Sequence, residues 1–153
     1  LIYVTWRFEF RYAAGGILAL VHDTLIVIGA VSVMNMEFTI NILAVLVFVI
    51  GFSINDTIVT LDRIREIVKR NPKQKLGDII NLAINETLSR TILTSLTVFF
   101  TVLALYIFGG PVIRDFAFAM LVGTVVGTYS TVYIACTSVL LFEKWQPSRM
   151  KRK

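Results

Sequence analysis

The chain has only one cysteine and one histidine in 153 residues. Cys136 has no partner for an intrachain disulfide, and together with His22 it is too small a set for a zinc site. Inside an apolar run, such a cysteine serves as a small hydrophobic filler. No P-loop and no GxGxxG fingerprint occurs, and no nucleophile stands beside a base in a familiar motif. With these missing, no catalytic residue, cofactor site or metal site is expected, and the chain is not expected to be an enzyme. No initiator Met and no signal-peptide pattern opens the sequence. Leu1-Ile-Tyr-Val4 reads as the last turn of an earlier span, so a fragment of a longer protein is expected.

What the chain has in excess is apolar surface. Hydrophobic residues make up 56% and the mean hydropathy is +0.77, whereas a soluble domain is about 45–50% apolar. The excess lies in four runs of about 18–25 residues, each long enough to cross a ~30 Å hydrocarbon core. Spans are expected at residues 13–34, 40–61, 91–108 and 114–142, within a transmembrane helical bundle over 1–145. A basic tail, 146–153, follows Trp145, which suits an interfacial anchor. Asn35-Met-Glu37 is short enough to force an antiparallel hairpin, and Gly109-Gly110-Pro111 breaks the chain between spans three and four.

A formal net charge of +5 would suit a nucleic-acid binder, but its distribution argues otherwise. Of fifteen Lys and Arg, fourteen precede span one, lie between spans two and three, or follow span four. Only Arg114 lies on the other side. This is the positive-inside asymmetry, and it places both ends and the 62–89 loop in the cytoplasm. The partner implied is the lipid bilayer, and no nucleic acid is expected.

Within that loop, Leu61, Ile64, Ile67 and Val68 share one face of a helix that prolongs span two until Asn71-Pro72 ends it. From Lys75 to Leu88, Leu76, Ile79, Ile80, Ala83 and Leu88 oppose Asp78, Asn81, Asn85 and Glu86. The pattern suits a cytoplasmic interfacial helix feeding span three, with a packing helix as the alternative. The fold class is therefore all-α membrane, four transmembrane helices in two antiparallel hairpins.

Asp56 lies inside span two, where a carboxylate costs at least ~2.5 kcal/mol and usually faces a bundle interior or a water path. It stands about five residues, ~7.5 Å, from the inner end of its span. Arg90 enters span three from the same side. If the two spans are neighbours, Asp56 and Arg90 can pair, offsetting part of each other's desolvation. Burial disfavours the charged form of a carboxylate and a nearby cation favours it. A small rearrangement can therefore switch such a site, which is the physical basis of proton coupling. The alternatives are a structural Asp56 packed by Ser53, Asn55 and Thr57, and an Arg90 that snorkels to the interface. His22 and Asp23 sit near the middle of span one. Adjacent helical residues point about 100° apart, so the two are expected to face different neighbours, in a relay or an interhelical hydrogen bond. Gly123 and Gly127 have the spacing of a close helix contact. Asp62-Arg63 and Arg65-Glu66 read as a solvated face or a docking surface.

The stretch Gly51-Phe-Ser-Ile-Asn-Asp-Thr-Ile-Val-Thr-Leu-Asp-Arg-Ile-Arg-Glu66 resembles the SecF family, membrane subunits of bacterial protein export. Arg7-Phe-Glu-Phe-Arg11 with Ala19-Leu-Val-His-Asp23, Asn85 to Ser95, and Phe108-Gly-Gly110 with Arg114-Asp-Phe116 and Gly123 to Ser130 extend the resemblance over almost the whole chain. It implies an RND-type six-helix bundle of which these are the last four spans, without the first span and the periplasmic domain. It also implies a cell inner membrane location, SecD and the SecYEG translocon as partners, preproteins as substrates, and drive by the proton-motive force. The family's proton-pathway carboxylate falls on Asp56 and its partner arginine on Arg90, with His22, Asp23, Asn55, Thr57, Asp62 and Arg63 as possible supporting residues. Phe52 stands where Tyr is common, and Glu86 where Gln is common, which adds a carboxylate near Arg90. Two other readings stay open: a proton-coupled small-molecule exporter of the RND class, and a purely structural scaffold.

Overall fold

The computed structural model describes residues 10–145. The expected turn at Leu1–Val4 and the basic tail lie outside that range, as does the Trp145 side chain. The elements are α1 (Phe10–Val33), α2 (Ile40–Arg70), α3 (Leu76–Phe108), α4 (Pro111–Ser130), a π-helical turn (Thr131–Ala135) and α5 (Cys136–Trp145). No strand occurs among the described residues. Four helical segments are long and apolar enough to cross a membrane, the fourth running through α4, the π turn and into α5.

Local chemistry sets the boundaries. Asn35 takes φ 51°, the left-handed conformation that asparagine tolerates better than most residues. There Met36 N–H donates to Val31 C=O (3.1 Å) and Asn35 N–H to Ser32 C=O (3.0 Å), the paired bonds that close a helix end. α2 stops where Asn71 N–H donates to Ile67 C=O, 2.9 Å, and Pro72 has no N–H to continue the ladder. α4 starts with Pro111, whose ring suits a first helical position.

The expected extension of span two to Arg70 is present. The stretch 75–88 differs from the interfacial helix anticipated for it: no break separates it from span three. It forms the first turns of one 33-residue helix, α3. Its apolar residues Ile79, Ile80 and Ala83 are buried against Leu61, Ile64 and Ile67 of α2. Burying that stripe against a neighbouring helix competes with laying it on a lipid interface, and the α2 extension offers a matching stripe. The 62–89 region is thus a helical hairpin.

α2 and α4 form the central pair, and α1 and α3 flank them. Two apolar cores sit at opposite ends. One joins Ala13, Leu61, Ile64, Ile79, Cys136 and Val139; the other joins Val27, Ile42, Val45, Val49, Val102, Ala117 and Met120. Between them, in chain order on every helix, fall buried polar residues: Asp23, Ser53, Asp56, Thr57, Thr60, Thr91, Ser95, Thr124, Ser130 and Thr131. Meanwhile Leu25, Val47, Leu93, Phe100 and Val125 are exposed. Polar groups inside and large apolar groups outside is the arrangement that lipid favours.

Candidate functional site

The polar layer is built from α2 outward. Ser53, Asp56, Thr57 and Thr60 recur at three- and four-residue spacing, which keeps them on one buried face. Across from them, Gly127 gives α4 a close approach to Ser53, and Gly16 gives α1 one to Thr57.

Asp56 is 2% exposed, and its Oδ2 has no hydrogen-bond partner. The neighbouring hydroxyls explain why. Ser53 Oγ donates to Asp23 Oδ2 at 2.6 Å. Thr131 Oγ1 donates to Gly127 C=O at 3.0 Å. The 3.2 Å contact between Thr57 and Thr131 must therefore use the Thr57 proton, because each hydroxyl has only one to give. Of the three hydroxyls on this face, those of Ser53 and Thr57 are thus committed elsewhere. A buried oxygen left in this way is an exception that calls for a functional account.

Asp23 is fully buried between α1 and α2. One carboxylate oxygen accepts from Ser53, and the other lies 3.1 Å from His22 Nδ1. The sequence argument separated these neighbours; the structure joins them. The imidazole reaches back along its own helix, and a 100° offset at the backbone does not prevent that for a long side chain. His22 remains 32% exposed, so the chain His22–Asp23–Ser53 leads from the bundle surface to within one turn of Asp56.

Arg90 is placed differently from expectation. α2 and α3 are neighbours, yet no ion pair joins Asp56 and Arg90. The buried stripe of α3 runs through Ala83, Thr91 and Ser95. Arg90 lies about 100° from Thr91 around the helix and is exposed.

Of the remaining candidates, Thr57 lies in the layer and bonds to Thr131. Asn55 and Asp62 are exposed. Arg63 is part-buried and tied to Glu66 and Glu86. The Arg63 hydrogen bond holds the Glu86 carboxyl below the usual carboxylate range. In span three, Thr94 and Thr97 return their hydroxyls to their own helix, while Ser95 shares a hydrogen bond with Thr128 of α4 at 2.8 Å.

Sequence reasoning missed Ser130, Thr131 and the π turn. Hydroxyl residues in a span carry no periodic signal of their own, and nothing in Thr131-Val-Tyr-Ile-Ala135 announces a widened turn. That turn shifts the ladder so that Cys136 Sγ lies 3.6 Å from Thr131 C=O, and π turns inside helices gather at functional sites. Among the described residues no group of three or more His, Cys, Asp or Glu could hold a metal ion.

Comparison with known proteins gives a consistent result. The family described as "Protein export membrane protein SecD/SecF, C-terminal" matches residues 1–145. The protein translocase subunit SecF of Calditerrivibrio nitroreducens is 54% identical over 94% of this chain and 48% of its own length. That of Koribacter versatilis is 45% identical over 97% of this chain and 37% of its own. The chain thus spans about half the length, or less, of these relatives. A crystal structure of SecDF in a super-membrane-facing form superposes with a TM-score of 0.91 at 42% identity, covering 99% of this chain and 21% of that one. SecDF from Thermus, described as a translocon-associated membrane protein, gives 0.89 at 44%, covering 94% and 20%. With a matched bundle and a family match over nearly every residue, the chain belongs to the SecD/SecF C-terminal family of protein-export membrane proteins.

Proposed function

We propose that this chain is the proton-coupling membrane portion of an accessory subunit of Sec protein translocation. It would act with a SecD partner beside the SecYEG channel, in the inner membrane, to complete preprotein export. In this reading it transports and does no covalent chemistry, and both ends of the four-span segment face the cytoplasm. The observation that carries it is the buried Asp56 oxygen without a donor. As a carboxylate that oxygen can only accept, and the Ser53 and Thr57 protons are used elsewhere. As a carboxylic acid it gains a proton to donate, and the spare lone pairs of Thr57 and Thr60 become available to it. One proton thus changes what a buried group on a central helix can bond to, which is the kind of local change that can bias a switch between two packings.

Arg90 supplies the counter-charge. In this reading Arg90 reaches Asp56 when α3 shifts against α2, the helix it packs on. His22, Asp23 and Ser53 supply a hydrogen-bonded approach from the bundle surface. A family relationship to translocase subunits supports export as the process being driven.

The test is preprotein release by the full-length parent with its SecD partner, with and without an imposed proton gradient. Asp56→Asn is isosteric and cannot ionise. It should assemble with its partner yet lose the gradient-dependent stimulation, leaving only the gradient-independent rate. Undiminished stimulation in Asp56→Asn would refute proton coupling through this residue and make it part of a scaffold.

A further inference from the structure

Glu86 stands four residues before Arg90 on α3, the spacing at which a glutamate and an arginine pair along one helix. That pair is not formed. Glu86 accepts a hydrogen bond from Arg63 Nε across the α2–α3 contact, while Arg63 Nη1 donates to Glu66. The other oxygen of Glu66 holds Arg70 Nη2 at 2.6 Å. A planar guanidinium can address two carboxylates at once, and a lysine ammonium cannot do so in the same geometry. Arg90, one turn further along α3, makes no ion pair among the described residues and is exposed.

We propose that Arg63 is a positioning residue: by holding Glu86 against α2 it keeps Glu86 away from Arg90 and so reserves Arg90 for Asp56. The assignment rests on the coupling role given above to Asp56 and Arg90. It follows from a competition that the chain sets up for itself. A carboxylate at position 86 is about one helical turn from the arginine the site needs, and both are exposed. Oppositely charged side chains at this spacing favour pairing along the helix. Arg63 intervenes from the neighbouring helix. Remove it, and Glu86 becomes free to neutralise Arg90 outside the site.

The measurement is gradient-dependent stimulation of preprotein release, per assembled complex, in the full-length parent with its SecD partner. Arg63→Ala should lose about two- to fivefold of the stimulation, the range set by an exposed pair competing along a helix. Glu86→Gln should retain it, and Arg63→Ala combined with Glu86→Gln should recover it. A merely structural clamp predicts the reverse, since the double variant lacks the clamp as completely as either single one. No loss in Arg63→Ala, or no recovery in the double variant, overturns the assignment. If Arg63→Ala does not assemble, Arg63→Lys keeps the charge without the two-carboxylate fork, and its recovery by Glu86→Gln is read in the same way. Asp56→Asn and Arg90→Gln run alongside. If those two keep full stimulation, the coupling reading itself falls and takes this assignment with it; if they lose it while recovery fails, only the role of Arg63 falls.

Discussion

A Cβ added at Gly123 would lie 2.1 Å from Val49 Cγ2, with the rest of that valine within 3.3 Å. Val49 is β-branched and buried, so it cannot swing aside. Gly123→Ala should therefore destabilise the bundle by about 1–3 kcal/mol, as overpacking does. Thermal unfolding in detergent would measure it, and adding Val49→Ala should restore part of the loss. Gly127 is a useful contrast, because its added Cβ would meet Ser53 Cβ at an ordinary 3.4 Å. Gly127→Ala should be well tolerated. The four-residue spacing of these glycines is legible in the sequence; that only one of them lacks all spare room is not, because it depends on which residue the other helix presents. Ser53 makes a second case. Its hydroxyl is the interhelical donor to the fully buried Asp23. Ser53→Ala leaves that carboxylate short of a donor and should cost about 1–3 kcal/mol, read by the same unfolding measurement. A smaller loss would mean that Asp23 finds another donor.

Helices carry features that their single residues do not reveal. The π turn at Thr131–Ala135 inserts one extra residue into an otherwise α-helical span, and this sets the rotation of everything after it. Cys136 and Val139 reach the core beside Ala13 on that rotation, and Val139 also packs over Gly15. Deleting Val132 should restore plain α-helix and turn α5 by about 100°. Val139 would then leave the core, and assembly with the partner subunit should fall sharply, as copurification would report. If assembly is unchanged, the turn is incidental. At the other junction, the ends of α2 and α3 are joined by Arg63 and Glu86. Because that contact depresses the Glu86 carboxyl, its contribution is present above the unfolded value of about 4.5 and is lost as pH falls below it. Amide exchange in 62–70 and 76–89 should accelerate on that descent, and Glu86→Gln should abolish the step. Element existence, the hairpin turns and the Asn71-Pro72 stop all follow from hydropathy, capping and proline chemistry. The continuity of 76–108 does not, since an amphipathic face is equally content with a lipid surface or a neighbouring helix, and only the matching stripe on α2 decides.

Across the whole molecule the four spans are arranged about a polar layer that the sequence displays only in pieces. Asp56 is conspicuous alone because a carboxylate in an apolar run is expensive. Its hydroxyl neighbours are not, and neither is the way they turn their protons away from it, because that requires knowing which helices touch. Arg90 illustrates the same limit: depth along the membrane follows from counting residues, whereas the side of the helix it occupies follows from the packing of Thr91 and Ser95. Orientation in the membrane is the remaining global property, and it rests on charge asymmetry alone. With fourteen of fifteen Lys and Arg preceding span one, lying between spans two and three or following span four in the sequence, the positive-inside tendency predicts the turn at Asn71–Gln74 in the cytoplasm and the turn at Asn35–Glu37 outside. Both turns are exposed, so each can report its compartment. In the full-length parent carrying Cys136→Ala, a single Glu37→Cys should react with an impermeant maleimide in spheroplasts. Lys73→Cys should react only after the membrane is opened. The opposite labelling would invert the bundle. Asp56 would then stand nearer the outer surface than the inner one, and a proton entering from outside would reach the carboxylate by the shorter path instead of the longer one.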